Sequence, residues 1–129
     1  MNACEDGDGE TTRVLLVEDH ALFRQALSFL LRSHRDLEVM QAGTLAEARL
    51  LLGGVDVVAL DNYLPDGAGT DLIVEVRTTN PGASVLVLND APDSAGRRLA
   101  VAAGADRVIS KAESACTIVD EIKCLGDAR

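Results

Sequence analysis

Val55-Asp56-Val57-Val58-Ala59-Leu60-Asp61-Asn62-Tyr63-Leu64-Pro65-Asp66-Gly67-Ala68-Gly69 passes from an apolar run into an aspartate and then into a turn containing proline and glycine. Such a short run, closed by turn residues, reads as a strand, with Asp61 at its carboxyl end. Upstream, Val14-Leu15-Leu16-Val17 ends in the acidic pair Glu18-Asp19. Two strands of one sheet would therefore deliver three carboxylates to one edge. Carboxylates held together repel unless a cation neutralises them or one takes up a proton, so the cluster is a candidate site for metal-assisted chemistry.

Outward from this stretch, apolar runs alternate with amphipathic segments, the pattern of a parallel sheet covered by helices on both faces. The runs predict strands over about 13–18, 37–42, 55–60, 84–88 and 107–110. Between them, Leu22, Phe23, Ala26, Leu27, Leu30 and Leu31 predict a helix over 21–34, and Leu45, Ala48, Leu51 and Leu52 one over 44–53. Leu72, Ile73 and Val76 predict a third over 68–79, and Leu99, Ala102 and Ala103 a fourth over 93–103 that ends at Gly104. Ile118, Ile122 and Leu125 predict the last, over 113–125. Thr44 before Glu47 fits a capping box, and Gly53-Gly54 stops the second helix. Five βα units fit one doubly wound α/β domain over 13–126.

The chain of 129 residues, 47% hydrophobic, can bury an ordinary core without disulfides or structural metals. Its formal charge of −9 argues against binding nucleic acid or an anionic membrane. Part of the excess lies in Glu5, Asp6, Asp8 and Glu10, so residues 1–12 read as a flexible acidic tail. Cys4, Cys116 and Cys124 have no metal-ligand or CxxC spacing, and no signal peptide or membrane-spanning run is present, which predicts a cytoplasmic protein. Cys116 and Cys124, eight apart on the last helix, read as core filling. An aromatic content of 2% leaves few platforms for stacking nucleotide bases.

In doubly wound sheets ligands bind beyond the carboxyl ends of the strands. Glu18 and Asp19, Asp61, Asn89 and Lys111 all fall at or just past such ends. A hard-oxygen cation, Mg²⁺, would sit among Glu18, Asp19 and Asp61 with open positions for water and a phosphoryl oxygen. Asp61 could then be the nucleophile of a phosphoryl transfer, with the metal and Lys111 neutralising the oxygens. His20 reads as a surface histidine at a helix start.

These residues resemble the receiver domains of bacterial two-component response regulators across about residues 13–125. Leu16-Val17-Glu18-Asp19-His20 is similar to the family's acidic-pair motif, the segment Asp61 to Gly69 to its phosphoacceptor loop, and Ala102-Ala103-Gly104-Ala105-Asp106 with Lys111 to its approach to the fifth strand. The acid-acid-His start is most similar to the subgroup whose receivers precede a LuxR/NarL-type helix-turn-helix domain. The resemblance implies a flavodoxin-like fold with a five-stranded parallel sheet in the order 2-1-3-4-5. It implies that Asp61 accepts a phosphoryl group from a sensor histidine kinase, with Glu18, Asp19, Asp61 and the backbone carbonyl of Tyr63 around Mg²⁺ and with Lys111 and Asn89 binding the phosphoryl group. The implied protein is a signalling module rather than an enzyme, a homodimer that regulates transcription through an output domain beyond this chain.

Three positions depart from the family. Asn89 stands where the family usually has Ser or Thr, Asp90 adds negative charge where a small neutral residue is usual, and Val108 replaces the aromatic residue whose rotation reports the modified state. Ala112 replaces a proline common after the lysine. These departures give an alternative expectation, a receiver that works without phosphorylation as a dimerisation or docking module. An aspartyl phosphohydrolase would usually carry a second acid where Tyr63 stands.

Overall fold

The computed structural model describes residues 11–90 and 94–127. Its main sheet is built from β1 (Thr12–Val17), β2 (Leu37–Ala42), β3 (Val57–Asp61), β4 (Ser84–Asn89) and β5 (Arg107–Ser110). The helices are α1 (Ala21–Arg32), α2 (Leu45–Arg49), α3 (Gly69–Thr79), α4 (Ser94–Ala103) and α5 (Ala115–Asp127). All the pairings of the main sheet are parallel and its order is 2-1-3-4-5, as expected. A two-residue antiparallel ladder, Tyr63–Leu64 against Gly67–Ala68, folds the chain back between β3 and α3.

The central strands are apolar on both faces because both faces are covered. Leu15, Val17, Val58, Leu60, Val85 and Val87 pack under α2, α3 and α4, while Val14, Leu16, Val57, Ala59, Leu86 and Leu88 pack under α1 and α5. β1 begins at Thr12, which pairs with Leu37, so the last residue assigned to the tail belongs to the sheet. Of the rest of that tail, Thr11 is exposed and residues 1–10 lie outside the described residues. Among the described residues no helix is long and apolar enough to cross a membrane.

The helix stripes hold for α3 and α5, where Leu72, Ile73, Val76, Ile118 and Ile122 are buried. They fail in part elsewhere. In α1, Leu27 and Leu31 point inward while Leu22 is 75% exposed. In α4 the expected Leu99 is 63% exposed and Ala102 is also exposed; the buried residues are Gly96 and Ala100. Small residues four apart let the α4 backbone lie close to the sheet, which rotates the larger side chains outward. Helix α2 stops at Arg49, because Leu50 and Leu51 donate to carbonyls three residues back and tighten the chain ahead of Gly54, whose φ is +77°. Cys116 is exposed, against its expected role in the core, and Cys124 is half-buried and disulfide-bonded.

The far end of α4 is tied down by Arg77. Its guanidinium donates to the Gly104 carbonyl (2.6 and 3.2 Å), the Ala83 carbonyl (2.7 Å) and the Asp106 carboxylate (2.7 Å). Asp106 in turn accepts from the Val85 amide at 2.8 Å.

The turn that carries Asp61 into α3 depends on Gly69, whose amide donates to the Asn62 carbonyl at 2.7 Å. A Cβ on Gly69 would overlap the Asp61 carbonyl oxygen and lie 2.8 Å from Leu60 Cδ1. Gly69→Ala is therefore expected to lower stability by about 1–3 kcal/mol, read as a reduced urea midpoint at unchanged slope.

Candidate phosphoacceptor and metal site

The acids expected to converge do so. Glu18 and Asp61 are buried at the carboxyl ends of β1 and β3, Asp19 is exposed beside them, and one carboxylate oxygen from each lies within 4.8 Å of the others. Lys111, just past β5, closes the group: its Nζ stands 2.5 Å from Glu18 Oε1 and 2.7 Å from Asp61 Oδ2. The same ammonium lies 5.4 Å from the centre of the Phe23 ring, close enough for a cation–π contact.

Backbone and side-chain hydrogen bonds hold these groups in place. The His20 amide donates to Glu18 Oε2 at 3.0 Å, and the Tyr63 amide to Asp61 Oδ1 at 3.3 Å. Arg24 Nη1 donates to the Glu18 carbonyl at 2.6 Å while its Nε reaches Gln41 Oε1 at 3.2 Å, bracing the acidic turn against β2. The Lys111 amide donates to the Asn89 carbonyl at 2.9 Å, which locks the lysine to the end of β4. Asp66 anchors the far side of the loop. Its two oxygens accept from the Leu45 and Ala46 amides at 2.8 and 3.0 Å, joining the loop to the first turn of α2.

The charges respond to these surroundings. Burial pushes the Glu18 carboxyl above its ordinary pKa, and the hydrogen bonds from Lys111 and the His20 amide only partly offset it. Burial alone would lower the Lys111 ammonium, but its hydrogen bonds to Asp61 and Glu18 outweigh that effect and leave it above its usual value. Asp66 is held below the usual carboxylate range, chiefly by the Leu45 amide.

Tyr63 lies in the short ladder directly after Asn62, with its side chain exposed. His20 is exposed at the start of α1, as expected. Asn89 is buried at the end of β4, where its Oδ1 accepts from Asn62 Nδ2 at 2.6 Å. Asp90 is exposed. Val108 is buried in the core under α4, and Arg97 Nη1 donates to its carbonyl at 3.1 Å. Asn62, Arg24, Asp66 and Phe23 escaped the reading of candidate residues. Only Asp66 left a signal, as the acid of a Pro-Asp-Gly turn, because the other three act through contacts distant in sequence.

Three carboxylates with no nitrogen or sulfur donor among them are a hard-oxygen set, suited to Mg²⁺ or Ca²⁺ rather than to zinc. The ammonium of Lys111 already offsets part of that charge, so a cation entering the site would have to compete with it. Lys111→Gln is expected to bind Mg²⁺ about tenfold more tightly by titration calorimetry, because two carboxylates lose their standing counter-charge.

The Asp66 bonds set a pH dependence. A carboxyl depressed in the folded state stabilises above its unfolded value of 3.8 and loses that contribution as pH falls through the lower folded value. The urea midpoint of Asp66→Asn is expected to lie below that of the parent at neutral pH, and the gap to close on acidification below 3.8.

A family model for the response regulator receiver domain matches residues 14–123. The transcriptional regulatory protein TcrX of Mycobacterium tuberculosis is 33% identical over 120 residues, covering 92% of this chain and 51% of the relative. The DNA-binding transcriptional activator DevR/DosR of the same organism is 32% identical over 120 residues, covering 91% of this chain and 55% of the relative. The chain thus spans about half the length of these curated relatives. Among solved structures, the signal receiver domain of NarL from M. tuberculosis superposes with a TM-score of 0.84 at 26% identity, over 93% of this chain and 99% of that one. A response regulator from Burkholderia pseudomallei, solved with a phosphorylated aspartic acid, calcium ion and citrate, gives 0.77 at 27% identity, over 86% and 66% of the two chains. With the fold, the acidic edge and these similarities in agreement, the chain belongs to the receiver domain family of two-component response regulators.

Proposed function

We propose that Asp61 accepts a phosphoryl group from a sensor histidine kinase, and that Glu18, Asp19, Asp61 and the backbone carbonyl of Tyr63 hold the Mg²⁺ that the transfer requires. The observation that carries this reading is the meeting of three carboxylates and one ammonium at the carboxyl edge of the sheet. The Burkholderia neighbour, a response regulator holding a phosphorylated aspartic acid and a calcium ion, supports it. Bound Mg²⁺ would supply positive charge against the phosphoryl oxygens.

The chain's own groups do the rest. An Asp61 carboxylate oxygen attacks phosphorus, the P–N bond to the donor histidine breaks, and its electron pair leaves on the imidazole nitrogen. Lys111 is within reach of Asp61 and shifts from bridging two carboxylates to pairing with the new phosphoryl oxygens. Asn89 offers an amide N–H at the position where the family usually has a hydroxyl. Phosphorylation and later hydrolysis are the domain's own catalysis, while its role is that of a signalling module. The relatives named as transcriptional regulators support a role in regulating transcription. The proposed reading also includes a homodimer in the cytoplasm.

A second reading, a docking module that works unphosphorylated, has its own support. Lys111 already pairs with both Glu18 and Asp61, and buried Val108 offers no aromatic ring to rotate. Incubation with Mg²⁺ and acetyl phosphate separates the two. The expected result is a mass increase of one phosphoryl group that Asp61→Ala abolishes; an intact protein that gains no adduct from small donors or kinases leaves the docking reading.

A further inference from the structure

Lys111 faces two demands that conflict. In the resting site its ammonium bridges Glu18 and Asp61, at 2.5 and 2.7 Å. With those carboxylates engaged by a divalent cation, their pull on the ammonium falls. The ammonium ends a flexible four-carbon stem and is strongly hydrated, so once released it is drawn towards water. The proposed transfer needs it beside Asp61, where it pairs with the phosphoryl oxygens.

A third group stands at the ammonium. The centre of the Phe23 ring lies 5.4 Å from Lys111 Nζ, within the range at which an aromatic ring attracts a cation. Phe23 belongs to the first turn of α1, half-buried and packed against the core that lies under α1 and α5. That turn is tied down by Arg24, whose amide donates to the His20 carbonyl at 2.9 Å and whose Nη1 donates to the Glu18 carbonyl at 2.6 Å. Packing and backbone set the place of the ring, not the charges it faces.

The ring differs from the two carboxylates in carrying no net charge. A further acid at this position would repel an incoming phosphoryl dianion and compete with it for the ammonium, and the first turn of α1 has no acidic residue. The quadrupole of a ring attracts the ammonium weakly. Its attraction does not depend on the carboxylates being free, and it yields to a stronger anion.

We propose that Phe23 is a positioning residue that retains the Lys111 ammonium at the carboxyl edge while Glu18 and Asp61 hold the metal, so that the ammonium is at hand when a phosphoryl group reaches Asp61. This rests on the phosphoacceptor reading of Asp61. Phe23 acts through Lys111 and not on the phosphoryl group itself.

Two double-mutant cycles test the assignment, each combining Phe23→Leu with Lys111→Gln. The first compares urea midpoints in EDTA, with neither metal nor phosphodonor present. Phe23→Leu is expected to lower the midpoint further in the parent than in the Lys111→Gln background. The second reads the rate constant of phosphorylation by acetyl phosphate at saturating Mg²⁺. Phe23→Leu is expected to lower it about threefold to fivefold in the parent and less than about twofold in the Lys111→Gln background. Phe23→Tyr keeps the ring and is expected to stay within about twofold of the parent. Equal effects of Phe23→Leu in the two backgrounds of either cycle, or a Phe23→Tyr protein as slow as Phe23→Leu, overturn the role of Phe23 and leave Asp61 as the acceptor. A folded parent that takes no phosphoryl group from any donor overturns both readings. If neither Phe23→Leu nor Phe23→Met folds, as read by circular dichroism, the ring is structural support and the proposal is overturned.

Discussion

Lys111 bridging Glu18 and Asp61 is the interaction on which the carboxyl edge of this sheet depends. Two buried carboxylates at the ends of adjacent strands would force those strands apart if both stayed ionised without a counter-charge. The ammonium supplies counter-charge at 2.5 and 2.7 Å from the two carboxylates. Removing one partner of a buried pair of this kind typically costs about 3–5 kcal/mol, since the remaining charge stays desolvated. The same arrangement makes the edge receptive, because any cation or phosphoryl group that enters redistributes an existing balance of charge.

The rest of the site is geometry held by backbone. Gly69 lets α3 start against the Asp61 carbonyl, Asp66 stitches the intervening loop to α2, and Arg24 fixes the Glu18 carbonyl to the β2 side. Each of these three supports comes from a different part of the chain, and together they limit the movement of the acidic edge. Candidate ligands placed on strand ends and braced in this way keep their spacing without a metal to organise them.

Much of this was legible in the sequence because it depends on period and position. Alternating apolar runs predicted the strand count and the parallel sheet, and strand ends predicted which acids would meet. What escaped was decided by partners distant in the chain. Leu22 and Leu99 fit a helical stripe, yet point to solvent because Leu27, Leu31, Gly96 and Ala100 make the closer approach to the sheet. Asn62 looked like an ordinary turn residue, yet it is buried and donates to Asn89, twenty-seven positions away. Cys116 satisfied the spacing of a core residue but lies on the outer side of the first turn of α5. Periodicity identifies an apolar side of a helix, while the sizes of the facing side chains set its rotation.

Helix α4 rests on the sheet through Gly96 and Ala100, which offer no bulky knobs to interlock with the strands beneath. Its final turn runs into Gly104, gripped by Arg77, while Arg97 on its own second turn reaches the Val108 carbonyl. The helix is therefore held by hydrogen bonds to neighbouring strands and helices rather than by interlocking side chains, and it carries the apolar Leu99 and Val101 on its outer surface.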